Sequence, residues 1–310
     1  ATSLTGFQAG ILTEGAHTKN RIKDINIEKV EKCLDEGNIV VVAGFQGINE
    51  DGDITTLGRG GSDTTAVALA AKLGCPCEIY TDVDGIYGID PRLYPPAKKL
   101  DFITYEEMME MSSLGSGIME TRSVEIGLKY KVPIYVGLNI GEKNGTYIKE
   151  FDETMEQNSV TGVSATDNVL MITLNNIPYN TKSISNIFES LAERNVNIDM
   201  ISQTSPSSNH VNVSFTTSKD DESTINEIIS TLKLDVPEIE YVKESNISKV
   251  SVVGMGMRNQ SGVASQIFKI FADNGIEFKQ VTTSEISISY TVNSNDKEKT
   301  VTALCKELGL

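Results

Sequence analysis

Residues 55–63 read Thr55-Thr56-Leu57-Gly58-Arg59-Gly60-Gly61-Ser62-Asp63 and lead into residues 64–73, an Ala- and Leu-rich run that favours a helix. The three glycines let the backbone approach a ligand without obstruction by a Cβ atom. Ser62 or Asp63 is predicted to cap the helix, whose free N–H groups and positive dipole end bind anions. Arg59 adds a guanidinium that can hold a carboxylate through two hydrogen bonds. The junction therefore predicts an anion site, with an ordinary glycine-rich loop as the alternative.

The surrounding sequence alternates strand-like and helix-like segments. Residues 39–43 (IVVVA) form a continuous run that is typical of a strand buried on both faces, and residues 78–81 and 132–136 are also strand-like. Residues 105–111 and 122–130 favour helices. This pattern predicts an α/β domain over residues 1–155, with a mainly parallel sheet sandwiched by helices.

A second loop, residues 81–92 (TDVDGIYGIDPR), directly follows one of these strands, where open α/β sheets form their ligand crevice. The ring of Tyr87 can pack against a base or ribose, Arg92 can bind phosphate, and Asp82 can bind a hydroxyl group or a hydrated metal. Thr81 adds a hydroxyl. The loop therefore predicts a nucleotide site, with a surface turn rich in Asp and Gly as the alternative. A calcium loop is disfavoured because the spacing lacks the terminal bidentate Glu.

The C-terminal half contains an internal repeat. Ile187-Phe188 returns 80 residues later as Ile267-Phe268, and residues 196–199 (VNID) return with the same offset as residues 276–279 (IEFK). Each copy has a strand, an amphipathic helix, two hairpin strands and a second helix, and such βαββαβ order gives an antiparallel sheet with helices on one face. We assign the copies to residues 160–240 and 246–310. A duplicated structural or dimerisation module is the alternative to a pair of ligand sensors.

Composition excludes several classes of function. The 310 residues include 43 Asp and Glu but only 27 Lys and Arg, for a formal net charge of −16, which argues against nucleic-acid binding through basic patches. The apolar segments are strand-sized and the first residues lack the regions of a secretory signal, so we expect a cytoplasmic protein without membrane contact. The four cysteines show no metal or disulfide pattern, and we interpret them as structural thiols.

In combination, TTLGRGGSD at 55–63, TDVDGIYGIDPR at 81–92, AGFQG at 43–47 and the two C-terminal modules resemble the aspartate kinase family. That family has the amino-acid kinase fold followed by two ACT domains, and the resemblance covers residues 2–310. It implies ATP-dependent phosphorylation of the β-carboxylate of L-aspartate, which gives 4-phospho-L-aspartate. This reaction is the entry step to lysine, threonine and methionine.

The resemblance also implies roles for individual residues. Arg59 would clamp an aspartate carboxylate, with Ser62 and the backbone of Phe45 in the same pocket. Asp63 would orient the phosphates or a hydrated Mg²⁺ ion that is held through the phosphates. The residues expected to line the nucleotide site are Thr81, Asp82, Tyr87 and Arg92.

The C-terminal modules imply feedback control. In the family, lysine or threonine binds where two ACT modules meet in a homodimer or a higher homo-oligomer. This chain has Tyr179-Asn180-Thr181-Lys182 where many relatives have Asp-Lys-Pro-Gly, which favours lysine over threonine as the effector. The expected effector contacts are Asn197, Ile198, Asp199 and Gln203, with the loop at residues 179–183.

Two positions depart from the family pattern. A Lys-Phe-Gly-Gly-Ser/Thr loop expected early in the kinase domain is absent from the printed sequence, so we expect the chain as printed to be inactive. Gly117 stands where the family has a lysine near the nucleotide phosphates; we expect Lys98, Lys99 or Arg122 to replace it, or ATP binding to be weaker. The alternatives to an aspartate kinase are another amino-acid kinase with an ACT tail and a non-catalytic regulatory subunit or fragment.

Overall fold

The computed structural model describes residues 1–15, 20–115, 117–140, 144–151 and 159–310. The chain forms two compact units, one of residues 1–162 with 253–256 and 310, the other of residues 163–252 with 257–309. The first unit carries both predicted ligand loops, and the second carries the repeat. Within the described ranges, no helix has the length and apolarity that a membrane span requires.

The first unit alternates strands and helices. Its strands are β1 (Thr2–Leu4), β2 (Ile11–Glu14), β3 (Arg21–Ile25), β4 (Val40–Val42), β5 (Gln46–Ile48), β6 (Ile54–Thr56), β7 (Cys77–Thr81), β8 (Phe102–Thr104), β9 (Ile134–Leu138) and β10 (Thr146–Lys149). Its helices are α1 (Glu28–Asp35), α2 (Gly61–Leu73), α3 (Tyr105–Ser113) and α4 (Thr121–Tyr130).

These strands pair in both directions. β1 pairs in parallel with β4, and a second sheet has the order β3-β2-β5-β6. A third sheet has the order β7-β9-β10-β8, in which β7 is parallel to β9, and β10 is parallel to β8 but antiparallel to β9. Parallel strands with helices between them confirm the α/β architecture that the sequence predicts for this part of the chain.

Helix α2 joins two cores because it is narrow and apolar on two sides. Val67 and Ala70 belong to one core cluster with Ile134 of β9. Ala68 belongs to another cluster with Leu4 of β1. Small alanine side chains permit close packing on both sides, so the N-terminus of α2 is held rigidly where the glycine-rich loop enters it.

The prediction that residues 39–43 are buried on both faces was wrong. β4 forms, but Ile39 is 72% exposed and Val41 is 54% exposed. Val40 and Val42 pack against the cluster that contains Leu4, and β1 is the strand neighbour of β4 in a two-stranded sheet. A strand covered on one face buries only alternate side chains, so the β-branched composition overestimates its burial.

The second unit contains two four-stranded antiparallel sheets with helices. Its strands are β11 (Gly162–Thr166), β12 (Leu170–Pro178), β13 (Ile201–Gln203), β14 (His210–Thr217), β15 (Glu240–Glu244), β16 (Ile247–Val253), β17 (Phe278–Thr283) and β18 (Ser287–Asn293). Its helices are α5 (Thr181–Glu193), α6 (Glu222–Asp235), α7 (Val263–Asp273) and α8 (Lys297–Leu308). The sheet orders are β13-β14-β12-β15 and β17-β18-β16-β11. The two α+β modules predicted from the repeat are therefore present.

The fourth strand of each sheet comes from a different part of the chain relative to its module. In the first module β15 follows the second helix, α6, and closes the sheet beside β12. In the second module the corresponding place beside β16 is taken by β11, which precedes the whole first module in the chain. The interval 160–240 assigned to the first module thus includes a strand of the second sheet, and the assigned boundaries stay predictions.

Candidate active site

The glycine-rich loop enters α2 through a left-handed turn. Gly60 is the residue before the helix, with φ of 64°, and the N–H of Gly61 donates to the carbonyl of Gly58 over 3.1 Å. No side chain of the described residues caps this helix, so the predicted cap at Ser62 or Asp63 was wrong. The glycine turn starts the helix at Gly61, which places both residues inside its first turn. The N–H of Thr64 donates to the carbonyl of Gly60 over 3.1 Å, whereas the N–H groups of Ser62 and Asp63 have no preceding turn to bond.

Phe45, which the family resemblance assigns to the same pocket as Arg59, lies directly against this turn. Its backbone N–H donates to Thr65 Oγ1 over 3.1 Å, and its carbonyl accepts from the N–H of Leu57 over 3.0 Å. Phe45 has a φ of 70°, which is strained for a residue with a side chain. A Cβ atom on Gly61 would lie 2.8 Å from the Phe45 ring, so only glycine fits there. The two segments therefore form one surface.

The polar and charged residues of the loop differ in exposure. Arg59 and Ser62 are exposed, whereas Asp63 is half-buried. Burial raises the pKa of Asp63 above its usual 3.8, and the neighbouring carboxylate of Glu120 raises it further. A guanidinium, a hydroxyl and a carboxylate thus surround the start of α2, where the helix dipole is positive.

Arg122 stabilises the glycine-rich loop through a hydrogen bond to its backbone. Its Nη1 donates to the carbonyl of Leu57 over 2.9 Å, and its Nη2 donates to the carbonyl of Asn20 over 2.9 Å. These bonds occupy the guanidinium of Arg122, which is one of the three cations expected to replace a lysine at Gly117. Arg122 therefore stabilises the loop by binding the backbone carbonyl of Leu57.

The second predicted loop follows β7 and is folded by its own polar side chains. The hydroxyl of Thr81 donates to Asp82 over 3.1 Å, and the hydroxyl of Tyr87 donates to Asp84 over 3.0 Å. Burial and this hydrogen bond to Asp84 raise the pKa of Tyr87 above 10.0. Asp82 is exposed. The predicted residues therefore lie on one continuous loop at the end of β7.

Arg92 forms a two-pronged ion pair with Asp90. Its Nε lies 3.0 Å from both carboxylate oxygens, and its Nη2 lies 2.7 Å from Oδ2. The hydrogen bonds from Arg92 lower the pKa of Asp90 below 3.8 although burial raises it. The Arg92 side chain is 90% exposed, so the outer edge of its guanidinium remains open to a phosphate.

Two residues outside this loop support it. Thr146 Oγ1 accepts from the N–H of Ile86 over 2.8 Å and donates to the carbonyl of Leu100 over 2.6 Å. Lys99 Nζ donates to the carbonyls of Asp84 and Asn144 over 3.3 and 2.5 Å. The structure thus places the ammonium group of Lys99, another of the cations expected to replace a lysine at Gly117, against the loop at residues 81–92. Sequence reasoning missed Thr146, because no local pattern marks a threonine 60 residues from its partner.

Three of the predicted effector residues lie just before β13, and Gln203 is the last residue of that strand. Asn197, Asp199 and Gln203 are exposed, whereas Ile198 packs against the core of the first module. The carboxylate of Asp199 forms an ion pair with Lys249 of β16, whose side chain is only 5% exposed. In the sequence, this buried partner from the second module is marked only by being an isolated lysine in an apolar strand.

A cavity of about 490 Å³ lies in the second module. It is lined by the start of α7, by the end of β17, and by an ion pair of 2.9 Å between Arg258 and Glu285. Neither residue was predicted as a site residue. The cavity is large enough for a free amino acid.

Comparison with known proteins gives these features a context. The amino acid kinase family matches residues 1–137, and the ACT domain family matches residues 250–308. The aspartokinase of Geobacillus stearothermophilus is 44% identical over 313 residues, an alignment that spans 100% of this chain and 75% of the relative. The chain belongs to the aspartokinase family. Aspartokinase 2 of Bacillus subtilis is 43% identical, over 98% of this chain and 74% of that protein.

Solved aspartokinases share the fold. The structure of the Clostridium acetobutylicum enzyme superposes with a TM-score of 0.81 at 23% identity, over 98% of this chain and 70% of that one. The structure of Escherichia coli aspartokinase III gives a TM-score of 0.78 at 23% identity, over 99% of this chain and 70% of that one. The expectation of an aspartate kinase with an amino-acid kinase fold and ACT modules is confirmed.

Proposed function

We propose that this aspartokinase transfers the γ-phosphoryl group of ATP to the β-carboxylate of L-aspartate and produces 4-phospho-L-aspartate. The observation that carries the proposal is the exposed Arg59 on the glycine turn at the start of α2, beside Phe45. An arginine fork matches a carboxylate, and the helix start favours negative charge. A solved structure of the E. coli relative is a complex with aspartate and ADP.

Phosphoryl transfer to a carboxylate requires neutralisation of negative charge and alignment of the two reacting groups. A carboxylate acceptor is already ionised at neutral pH, so the reaction needs no general base. Arg59 and Ser62 fix the acceptor, with the backbone of Phe45 as one wall of the pocket. The N–H groups in the first turn of α2 stabilise charge on the transferring phosphoryl group. Thr81, Asp82, Tyr87 and Arg92 bind the nucleotide.

Mg²⁺ fits this site through the phosphates. The described residues hold no cluster of three or more His, Cys, Asp or Glu side chains that could bind a metal by themselves. Asp63 and Asp82 offer carboxylate oxygens, which Mg²⁺ accepts in small number while it keeps water and phosphate ligands. When bound, the ion neutralises phosphate charge. Asp63, in the first turn of α2, would orient the hydrated ion.

Regulation by lysine, or by threonine, is proposed for the second unit. Asn197, Ile198, Asp199 and Gln203 are the expected contacts, and a homodimer paired through the ACT modules is the expected assembly. Support comes from the E. coli relative, one structure of which is a complex with lysine and aspartate. A place in lysine, threonine and methionine synthesis and a location in the cytoplasm are proposed on the same family resemblance.

The substrate is tested with the full-length protein, in a coupled assay that measures ADP release. L-aspartate, L-glutamate and N-acetyl-L-glutamate are offered separately with ATP and Mg²⁺. We expect turnover with L-aspartate alone. Turnover with either of the other acceptors and none with L-aspartate would contradict the proposal.

A further inference from the structure

A groove of about 280 Å³ lies between β3, α2 and α4 in the first unit. Its apolar lining includes Ile22 of β3, Ala68 of α2 and Ile126 of α4, which are buried or half-buried and belong to one core cluster. The lining also contains two acids and five cations, and the cations are Arg21, Lys23, Lys72, Arg122 and Lys129. The groove therefore combines an apolar surface with a formal excess of three positive charges.

This positive excess contrasts with the charge of the whole chain, which is −16. The field of such a chain repels anions, so an anion binds only where positive charge is concentrated locally. A cleft concentrates the field of the charges that line it. The groove is therefore a place where this acidic chain can attract an anion.

Two of the five cations are already neutralised by carboxylates. Lys72 forms an ion pair of 2.6 Å with Asp24, which is one of the two acids of the lining, and Lys23 forms one of 2.5 Å with Glu50. Over the ranges that the structure describes, the other three cations have no acidic partner; these are Arg21, Arg122 and Lys129. Three positive charges thus remain for an anion to neutralise.

The three remaining cations suit a phosphate group that is attached to an apolar body. Arg122 is half-buried and donates to two neutral carbonyls, which leave its positive charge without a counter-ion. Lys129 Nζ lies 5.2 Å from the ring centroid of Tyr130, which also lines the groove. A guanidinium fork matches phosphate oxygens, and an ammonium group adds a point charge. An inorganic anion would leave the apolar lining uncovered, whereas an organic phosphate covers it.

We propose that the groove between β3, α2 and α4 binds a small organic phosphate. The phosphate neutralises Arg21, Arg122 and Lys129, and the organic group covers the apolar lining. The volume lies at the lower end of the range for ligand pockets, which fits a small metabolite. The lining contains none of the residues assigned to the acceptor or the nucleotide, so the inference goes beyond the proposed function and does not depend on it.

The test is calorimetric titration of the full-length protein with phenyl phosphate, in the presence of saturating ADP, Mg²⁺ and L-aspartate. These ligands are included to occupy the sites of the proposed function, so that the heat reports on the groove. We expect one phenyl phosphate to bind per chain. Inorganic phosphate, which lacks the ring, should bind about tenfold more weakly, because no apolar surface is buried. Phenol, which lacks the phosphate, should give no measurable binding.

Variants of opposite charge effect locate the binding. Lys129→Gln should weaken the binding of phenyl phosphate about 3- to 10-fold, because a charged contact is lost. Glu125→Gln should strengthen it about two- to threefold, because it removes the repulsion from the second acid of the lining, which is exposed on α4. Lys32→Gln is the matched control, since Lys32 is an exposed lysine of α1 outside the groove, and it should leave the affinity unchanged.

Three results would overturn the inference: no binding of phenyl phosphate, equally tight binding of inorganic phosphate, or the same affinity in Lys129→Gln as in Lys32→Gln. The variants keep the test decisive even where ADP does not bind, because none of them lies on the two predicted ligand loops. None of these results bears on the transfer of phosphate to L-aspartate, which the ADP-release assay tests separately.

Discussion

The two ACT modules share one order of strands but differ in how each sheet is completed and how each core is filled. The first module packs Phe188 against Phe215, with ring centroids 6.3 Å apart. The second packs a cluster of four rings, in which Phe271 and Tyr290 are 4.7 Å apart. The first closes its sheet with β15, which follows in sequence, and the second with β11, which comes from before the first module. Duplication has preserved the fold while the contacts have diverged.

Charge has also diverged at equivalent positions. Asp199 in the first module corresponds, 80 residues later, to Lys279 in the second. Asp199 pairs with the buried Lys249, whereas Lys279 pairs with Glu244, and both members of that second pair are about one-third exposed. One pair neutralises a buried charge and the other lies near the surface. The two modules therefore differ in how much the free energy of unfolding falls when the ion pair is lost.

The aromatic cores give the largest expected effect. Phe271→Ala removes a buried ring with two ring neighbours, Phe278 and Tyr290, and should lower the free energy of unfolding by about 3–5 kcal/mol. Phe215→Ala, the comparison in the first module, removes an equally buried ring with one ring neighbour and should cost somewhat less. Calorimetric unfolding of both variants measures the difference. A larger loss in Phe215→Ala would refute the account of the two cores.

The ion pairs give an intermediate effect. Asp199→Asn leaves the charge of Lys249 buried, and should lower the free energy of unfolding by about 1–3 kcal/mol, since Asp199 itself is 45% exposed. Glu244→Gln removes the partner of a more exposed lysine and should cost less than about 1 kcal/mol. Urea unfolding of the two variants compares them. Equal losses would show that Lys249 is less buried in solution than its position in β16 implies.

The smallest effect concerns the turn after β11. Burial raises the pKa of Asp167, but hydrogen bonds from Lys297 and Ser248 lower it more, so that it lies below 3.8. A lowered pKa contributes stability that is present above pH 4 and is lost as the pH falls through the folded-state pKa. Asp167→Asn should therefore lower the melting temperature slightly at pH 7, and the difference from the wild-type protein should shrink by pH 3.

The control for this change is Asp273→Asn, at the exposed end of α7. It should leave the melting temperature unchanged at both values of pH. A difference between Asp167→Asn and the wild-type protein that grows as the pH falls would contradict the assigned direction.

The repeat shows how much of this fold the sequence contains. Helical and strand periodicity recurring at an offset of 80 predicted both modules, because each must bury one apolar face. It did not predict β11 in the second sheet, because residues 162–166 and 240–244 share no pattern and strand order depends on tertiary pairing. The burial of β4 was overestimated for a similar reason, since composition does not report how many faces are covered.

The candidate site shows the same division between local features, which the sequence predicts, and tertiary contacts, which it does not. The local motifs predicted Arg59 and the loop at 81–92 as neighbours of a helix start and a strand end, where backbone geometry favours ligand binding, and the family resemblance added Phe45. Thr146 and Glu120 were missed because they reach the loops from distant segments. The prediction of a side-chain cap was wrong because a left-handed glycine starts the helix earlier than helix propensity indicates. Local chemistry was predictable, and long-range support was not.

The assignment of Arg59 to the acceptor carboxylate is the central claim, and steady-state kinetics of Arg59→Ala in the full-length protein test it most directly. Loss of a two-pronged charged contact should raise the KM for L-aspartate about 100-fold, while the KM for ATP stays within about threefold of the wild-type value. A KM for ATP that rises while the KM for L-aspartate is unchanged would contradict the account.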